Sequence, residues 1–203
     1  SDKEMSEMPA AVVHIPTCMG AVVLAYNLPG VDNLKLTGDI IADIYLGKIT
    51  KWNDSRIAAI NPGVNLPDKA MSPVYRSDGS GTTFVFSDYM TKVSPEWAEK
   101  IGTGKSLKWP VGMAAKGNPG VAGVISQTEG SIGYVGSEYA FAMKIQFAQM
   151  KNPAGNFITP NTESLSAAGK GVMPAFKGTM SSISPAADAY PISCFRWFIL
   201  YKE

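Results

Sequence analysis

The sequence predicts an α/β fold, and two observations carry that prediction. Short β-prone apolar segments alternate with segments whose apolar residues recur at intervals of three and four, as in amphipathic helices. With 45% hydrophobic and 17% charged residues in 203, the chain can also bury a substantial core. This alternation favours an α/β architecture of one or two lobes over a helical bundle or a β-sandwich.

The first elements are predicted from apolar patterning and turn residues. Residues 11–15 and 21–27 are apolar and β-prone, and they are followed by a turn at 28–30, so strand structure is expected there. A short amphipathic helix then covers 40–45; Thr37 or Asp39 caps it and Gly47 ends it. A second short helix starts at Asn53 or Asp54 and stops at Asn61-Pro62-Gly63. Trp52 lies between these helices and is interpreted as a core aromatic residue.

The middle of the chain is predicted as a strand, a glycine-containing loop and a helix. Residues 71–75 form the strand and 83–91 the helix. The linking segment, Tyr75 to Phe86, has the pattern of an anion-binding loop, because glycines expose backbone N–H groups beside hydroxyls and one cation. The residues that carry this pattern are Arg76, Gly79, Ser80, Gly81, Thr82 and Thr83. Such donors suit phosphate or sulfate.

The later helices and strands are predicted from shorter sequence patterns. Ser94 and Pro95 have the form of an N-cap followed by the first helical residue. Residues 112–123 are loop-rich; within them, 116–120 is interpreted as a helix entry without a ligand, with a second anion loop as the alternative. The remaining predicted elements are an extended segment at Trp109-Pro110, a strand at 132–135, a helix at 139–144 and a strand at 195–201.

Composition excludes several functional classes. The formal net charge is +1, so no global field would gather nucleic acid or hold an anionic membrane. No apolar run reaches the length of a membrane span. No basic-then-apolar start resembles a signal peptide, so Ser1 is expected to be a processed or internal start.

The cysteines and the histidine offer little catalytic or metal-binding chemistry. Cys18 and Cys194 lie far apart without metal-ligand spacing, so two small buried thiols are favoured and a single bridge is the alternative. His14 lies in an apolar strand and is interpreted as packed or edge-exposed. No metal, cofactor or catalytic triad is expected.

Taken in order, the motifs resemble the phosphate-binding component of the bacterial phosphate-specific ABC transporter, a type II periplasmic binding protein. This resemblance covers nearly the whole chain, and the matching stretches are Pro16-Thr17, 20–25, 43–49, Lys51-Trp52, 76–86, 93–97, 102–104, 108–110 and 130–135. It implies a mixed sheet flanked by helices, extracytoplasmic phosphate binding without cofactor, and delivery to membrane permease subunits.

The resemblance also implies residue roles. Arg76, Ser80, Gly81 and Thr82 would contact phosphate, and Asp78 would orient Arg76. Asp2 would accept a hydrogen bond from a protonated phosphate oxygen, which sulfate cannot offer at neutral pH.

The chain departs from that family by lacking two donor loops that normally precede the position of Ser1. The resemblance therefore implies that residues 20–190 are the second lobe, with 1–19 and 191–203 as hinge strands and remnants of the first. Weakened phosphate binding is expected, because one lobe cannot close over a ligand. On the hinge strands, Cys18 and Cys194 would be neighbours, and a disulfide is predicted in an oxidising compartment.

Two other functions compete with phosphate reception. Phosphoryl transfer needs similar groups, but a P-loop would place Lys after the second glycine, where this chain has Thr82-Thr83. The other is a structural, assembly or adhesion domain, because hinge strands without their partner lobe leave edges that can pair with another chain.

Overall fold

The computed structural model describes residues 5–170, 181–182 and 184–202. Its helices are α1 (Gly38–Tyr45), α2 (Ser55–Ile60), α3 (Gly81–Val93), α4 (Pro95–Lys100), α5 (Gly117–Gln127), α6 (Ser137–Ala142) and α7 (Thr162–Gly169). Its strands are β1 (Val12–Tyr26), β2 (Lys35–Leu36), β3 (Ser72–Arg76), β4 (Met113–Ala115), β5 (Ser131–Gly136), β6 (Gln146–Phe147), β7 (Gln149–Lys151), β8 (Phe157–Ile158), β9 (Ser181–Ser182) and β10 (Ser193–Tyr201).

A mixed sheet organises the described residues. Its strand order is β4-β3-β5-β1-β10-β9, and β6 pairs with β1 outside that path. Strand β3 runs parallel to β4 and β5, whereas β1 is antiparallel to β5, β6 and β10. A small second sheet joins β2, β7 and β8. The predicted α/β class with a central mixed sheet is confirmed.

The first strand is longer than its sequence suggests. Strand structure was expected at 11–15 and 21–27, and β1 also runs without a break through the residues between these stretches. Its first part pairs with β10, and its second part, from Val22, pairs with β5. The register shifts between Pro16 and Cys18, where the β10 ladder is irregular. A bulge accommodates a proline that a regular ladder would reject, which is why the sequence indicated an interruption.

The helix boundaries follow the predicted caps. The Asp54 side chain accepts a hydrogen bond from Arg56 N at the start of α2, and the Ser94 side chain accepts one from Trp97 N at the start of α4. Thr37 is the N-cap of α1 but makes no side-chain capping bond. Gly47, at φ 76°, follows the end of that helix as expected.

Large aromatic side chains fill the core beside β3 and β5. Trp52 is 0% exposed and donates from Nε1 to Gly130 O at 2.9 Å, which confirms its interpretation as a core residue. Phe86 stacks on Tyr134 with ring centroids 4.3 Å apart. This packing fixes α3 against the sheet, so the start of that helix has a defined position.

The segment expected to be loop-rich is more ordered than its composition indicated. It contains strand β4 and the first part of α5. The glycines at positions 112, 117, 120 and 123 suggested a loop. Two of them, Gly112 and Gly117, have φ of 111° and 69° and form the turns that flank β4.

Beyond the main core, β1 and β10 continue as a two-stranded ribbon. Its apolar side chains are exposed at Ile15, Phe198, Ile199, Leu200 and Tyr201, with Phe198 at 65%. His14 lies on the same ribbon, half-buried and edge-on to Trp197. The division into 1–19, 20–190 and 191–203 stays a prediction.

Candidate anion-binding site

Three strands direct their following helices to one edge of the sheet. The parallel strands β3, β4 and β5 end at Arg76, Ala115 and Gly136. After each strand a helix begins, at Gly81, Gly117 or Ser137. Because parallel strands finish at the same edge, these helix starts lie together, and this edge is where open α/β sheets bind ligands.

The first turn of α3 leaves two backbone donors available. Ser80 N donates to Lys105 O at 2.9 Å, and Thr83 N donates to Ser80 Oγ at 3.2 Å. In the described part of the chain, the N–H groups of Gly81 and Thr82 have no acceptor. Since Ser80 Oγ already accepts from Thr83, its hydroxyl hydrogen remains free to bind an anion. The helix start therefore presents adjacent N–H groups with the favourable end of the helix dipole.

The glycines of this loop serve a different purpose from the one expected. Neither Gly79 nor Gly81 has φ in the left-handed region, so the loop does not depend on glycine for its backbone conformation. A Cβ atom at Gly81 would meet nothing within 4 Å. The missing side chain instead leaves open space beside the free N–H groups, which lets a ligand approach the backbone closely.

Arg76 lies beside this helix start and is held by Asp78. Its Nε donates to Asp78 Oδ1 at 2.8 Å, and its Nη2 donates to Asp78 Oδ2 at 2.7 Å. Arg76 is only 10% exposed at its side chain, and Asp78 33%. Asp78 Oδ1 also accepts from Gly117 N at 2.9 Å. The carboxylate is thus engaged by three donors, and the guanidinium keeps one orientation.

The pKa values of Arg76 and Asp78 are both shifted by their pairing. The hydrogen bond from Arg76, followed by that from Gly117 N, holds the pKa of Asp78 well below its usual range. The same carboxylate raises the pKa of Arg76, against a smaller opposing effect of burial. Both groups therefore stay ionised at neutral pH, and the pair contributes no net charge to the site.

Asn118, at the start of α5, is a site residue that motif analysis missed. Its Oδ1 accepts from Arg76 Nη1 at 3.3 Å and from Gly136 N at 3.4 Å. Its Nδ2 donates to Thr82 Oγ1 at 3.4 Å. The segment 116–120 was interpreted as a helix entry without a ligand, and Lys116 is the N-cap of α5. The signal that pointed here was the Lys116-Gly117-Asn118-Pro119-Gly120 pattern itself.

Tyr134 supports the loop from underneath. Its hydroxyl accepts from Arg76 N at 3.0 Å and lies 2.8 Å from Thr83 Oγ1. Burial raises the pKa of Tyr134 to about 12, so the phenol is protonated at any ordinary pH. One buried side chain on β5 thereby ties the end of β3 to the first turn of α3.

The remaining predicted site residues lie apart from this cluster or beyond the described chain. Asp2 falls outside the described residues. Cys18 and Cys194 carry free thiols, but Cys18 is exposed and Cys194 half-buried, so the expectation of two buried thiols is wrong. Cys18 is opposite Arg196 and Cys194 is opposite Gly20 in the β1–β10 ladder. They are thus diagonal neighbours on one face of the ribbon, and the disulfide stays a prediction. No group of three or more His, Cys, Asp or Glu that could hold a metal occurs among the described residues.

A groove of about 680 Å³ lies elsewhere, between the start of α1 and the C-terminal half of α3. None of the loop residues 76–83 lines it. The anion site is assigned instead to the start of α3, because two backbone N–H groups without an acceptor in the described chain lie there.

Comparison with known proteins identifies related proteins over nearly the whole length of the chain. A family model described as a PBP superfamily domain matches residues 2–203. The phosphate-binding protein PstS of Pasteurella multocida is 43% identical over 197 residues, which cover 95% of this chain and 57% of that relative. PstS of Xylella fastidiosa strain 9a5c is 42% identical, covering 100% of this chain and 58% of its own length. The chain thus spans little more than half of these curated relatives.

Solved structures agree on the fold. A human phosphate binding apolipoprotein has a TM-score of 0.72 at 18% identity, covering 98% of this chain and 62% of that one. An ABC-type phosphate transport receptor from Vibrio cholerae has a TM-score of 0.56 at 15% identity, covering 98% and 63%. Likeness at these identities shows the fold alone. With the family match over residues 2–203, it confirms the resemblance indicated by the motifs: the chain belongs to the PBP superfamily, with the fold of type II periplasmic phosphate-binding proteins.

Proposed function

We propose that this chain is a phosphate-binding lobe of an extracytoplasmic receptor that delivers inorganic phosphate to an ABC-type importer. One observation carries the proposal: the free N–H groups of Gly81 and Thr82 lie beside hydroxyl donors and a guanidinium locked by Asp78. The names of the PstS relatives support the same ligand.

The proposed roles follow from the donor inventory. Gly81 and Thr82 donate backbone N–H groups to phosphate oxygens, and the hydroxyls of Ser80 and Thr82 add further hydrogen bonds. Arg76 supplies the N–H groups that Asp78 and Asn118 do not use. Asp78 orients Arg76 and does not contact the ligand, because three donors already occupy it. Asp2 is proposed as the acceptor for a protonated phosphate oxygen.

The electrostatic potential of the site favours a bound anion but attracts distant anions only weakly. Arg76 and Asp78 cancel as charges, so the favourable potential arises from aligned N–H dipoles at the start of α3. Such a potential acts over a few ångströms. A lobe of this kind binds a small compact anion once it arrives.

Binding rather than catalysis is the proposed activity. The relatives are named as phosphate-binding proteins, and the loop lacks the lysine that a P-loop places after its second glycine. A binding site needs donors that stabilise the bound anion, which this helix start has. Phosphoryl transfer would in addition need a positioned nucleophile.

The permease subunits of an ABC phosphate transporter are the proposed protein partners, and the periplasm or cell envelope is the proposed location. Both follow from the PstS relatives. Among the described helices, none is long and apolar enough to cross a bilayer.

Titration of the chain with inorganic phosphate tests the proposal. Resonances of the Gly81 and Thr82 amides are expected to shift on adding phosphate, and Arg76→Lys to weaken the effect, because an ammonium cannot keep the paired bonds to Asp78. By calorimetry the affinity is expected to be well below that of a two-lobed relative, since one lobe leaves phosphate exposed to water. Tight binding by this chain would contradict the expected weakening, whereas unshifted amides would contradict the proposed function.

A chromogenic phosphate ester separates binding from catalysis. We expect phosphate to bind while the ester is not hydrolysed above the rate of an Arg76→Ala variant. Hydrolysis that disappears in that variant would overturn the proposal of a binding protein.

A further inference from the structure

The side-chain amide of Asn118 joins three separate parts of the anion-binding site. Its oxygen contacts the guanidinium of Arg76 and the backbone N–H of Gly136, and its nitrogen contacts the hydroxyl of Thr82. The side chain is half-buried at the start of α5. It therefore links the ends of β3 and β5 to the first turn of α3.

The surrounding groups determine which way the amide points. Arginine and backbone N–H groups are donors only, so the two that converge on one atom of Asn118 require an acceptor there. That atom must be the carbonyl oxygen Oδ1, which leaves the NH₂ group facing Thr82 Oγ1. The orientation is thus set by chemistry around the amide.

This orientation has a consequence for Thr82. Its hydroxyl oxygen accepts from Asn118 Nδ2, so the hydroxyl hydrogen remains available for another acceptor. Thr82 also contributes one of the two free backbone N–H groups at the helix start. Its side chain and backbone can then both act as donors to one anion.

We propose that Asn118 is a positioning residue that keeps the Thr82 hydroxyl a hydrogen-bond donor toward the bound anion while steadying the Arg76 guanidinium. This inference rests on the proposed phosphate site and adds to it a residue that acts through Thr82. An asparagine serves where an aspartate would not, because a carboxylate has no hydrogen to give and would draw the Thr82 hydroxyl away from the ligand.

The decisive variant is Asn118→Asp, which keeps the acceptor for Arg76 and Gly136 but removes the donor to Thr82. We expect phosphate affinity, read from the Gly81 and Thr82 amide shifts, to fall about 10- to 100-fold, the range for losing one hydrogen bond to a charged group. The matched control is Asn161→Asp, which adds the same charge at the N-cap of α7, outside the site, and retains a capping oxygen. It is expected to leave phosphate affinity unchanged.

A double-mutant cycle distinguishes positioning from a purely structural role. Asn118→Ala, which adds no charge and serves if N118D does not fold, is expected to weaken binding severalfold. In a Thr82→Val background, the same change is expected to cost at least threefold less, because the hydroxyl it acts through is gone. A structural role would give equal losses in both backgrounds.

The outcomes separate this inference from the function on which it rests. Phosphate binding by the wild-type chain, with unchanged affinity in N118D or equal losses in the cycle, would overturn the role of Asn118 alone. Absence of any phosphate-dependent shift at Gly81 and Thr82 in the wild type would overturn the proposed function and this inference together.

Discussion

Asp78 receives both the Nε and the Nη2 hydrogens of Arg76, and this two-point pairing lies at the end of β3, where the site begins. Gly117 N supplies a third hydrogen bond to the same carboxylate. The carboxylate therefore connects β3 to the start of α5 as well as orienting the cation. A negative residue beside an anion site is consistent with anion binding here, because its charge is already matched by Arg76 and its acceptor atoms are engaged.

Asp78→Asn is expected to lower stability in a pH-dependent manner. The pKa of Asp78 is depressed in the folded chain, so its ionised pairing stabilises the fold above the unfolded pKa of about 3.9 and is lost progressively as pH falls toward the folded value. The difference in unfolding free energy between wild type and D78N should stay constant from about pH 8 to about pH 5 and shrink below about pH 4.

Denaturant unfolding at several pH values measures that difference. Asp68→Asn is the control, because Asp68 makes an exposed ion pair with Lys51 and is expected to change stability little. A wild-type advantage over D78N that persists unchanged at pH 2 to 3 would contradict the predicted linkage.

Gly81→Ala is expected to separate folding from binding. The new methyl group meets nothing within 4 Å in the described chain, so unfolding free energy should change by no more than about 1 kcal/mol. Phosphate affinity should fall by about tenfold or more, because the methyl group fills the space beside the free N–H groups. Gly123→Ala on α5 is the matched control: its methyl group also meets nothing within 4 Å, and it lies outside the site. Equal phosphate affinity in G81A and G123A would contradict the proposal that phosphate binds in the open space beside Gly81.

Tyr134→Phe is expected to destabilise the fold by about 1–3 kcal/mol, because the Arg76 N–H loses its acceptor beneath the loop. Burial raises the pKa of Tyr134 to about 12, so the loss should be the same from about pH 6 to about pH 9 and should shrink above about pH 10, where the unfolded phenol ionises first. Thermal or denaturant unfolding measures it. Tyr201→Phe, on the exposed ribbon, should change stability by less than about 0.5 kcal/mol. Equal stability of Y134F and wild type would contradict a supporting role for this hydroxyl.

A disulfide between Cys18 and Cys194 is expected only under oxidising conditions. Both thiols are free in the structure, and their diagonal placement corresponds to Cα separations of about 7–8 Å, above the usual disulfide range. Closing the bridge therefore requires the β1–β10 ribbon to adjust near its irregular register. After incubation with a small-molecule disulfide, non-reducing mass spectrometry should show no alkylatable cysteine. Two alkylatable thiols in that sample would reject the bridge.

The sequence predicted the parts of the site that are local in the chain. Strand β3, the loop and α3 follow each other directly, so glycines, hydroxyls and one cation before an apolar segment were enough to indicate them. Arg76 and Asp78 are only two positions apart in the sequence, and the resemblance to phosphate-binding proteins implied the role of this pair. The local sequence pattern thus predicts a strand that leads directly into the start of a helix.

The contacts that lie far apart in sequence were not predicted. Asn118 reaches Arg76 across 42 positions, and Tyr134 reaches it across 58. Nothing in a single sequence reports which strands are neighbours, and it is the β4-β3-β5 order that brings these side chains together. The continuous course of β1 through Pro16 was likewise hidden, because only the pairing partner shows that the proline lies at an irregularity.

Two of the donors available to an anion belong to the peptide backbone of Gly81 and Thr82. Side-chain replacement cannot remove such donors as long as α3 forms; it can only block access to them, as a methyl group at Gly81 is expected to do. Proline is the exception, because it fits the first turn of a helix yet has no N–H to donate. Thr82→Pro should therefore weaken phosphate binding more than Thr82→Val does, because it removes a backbone donor as well as the hydroxyl.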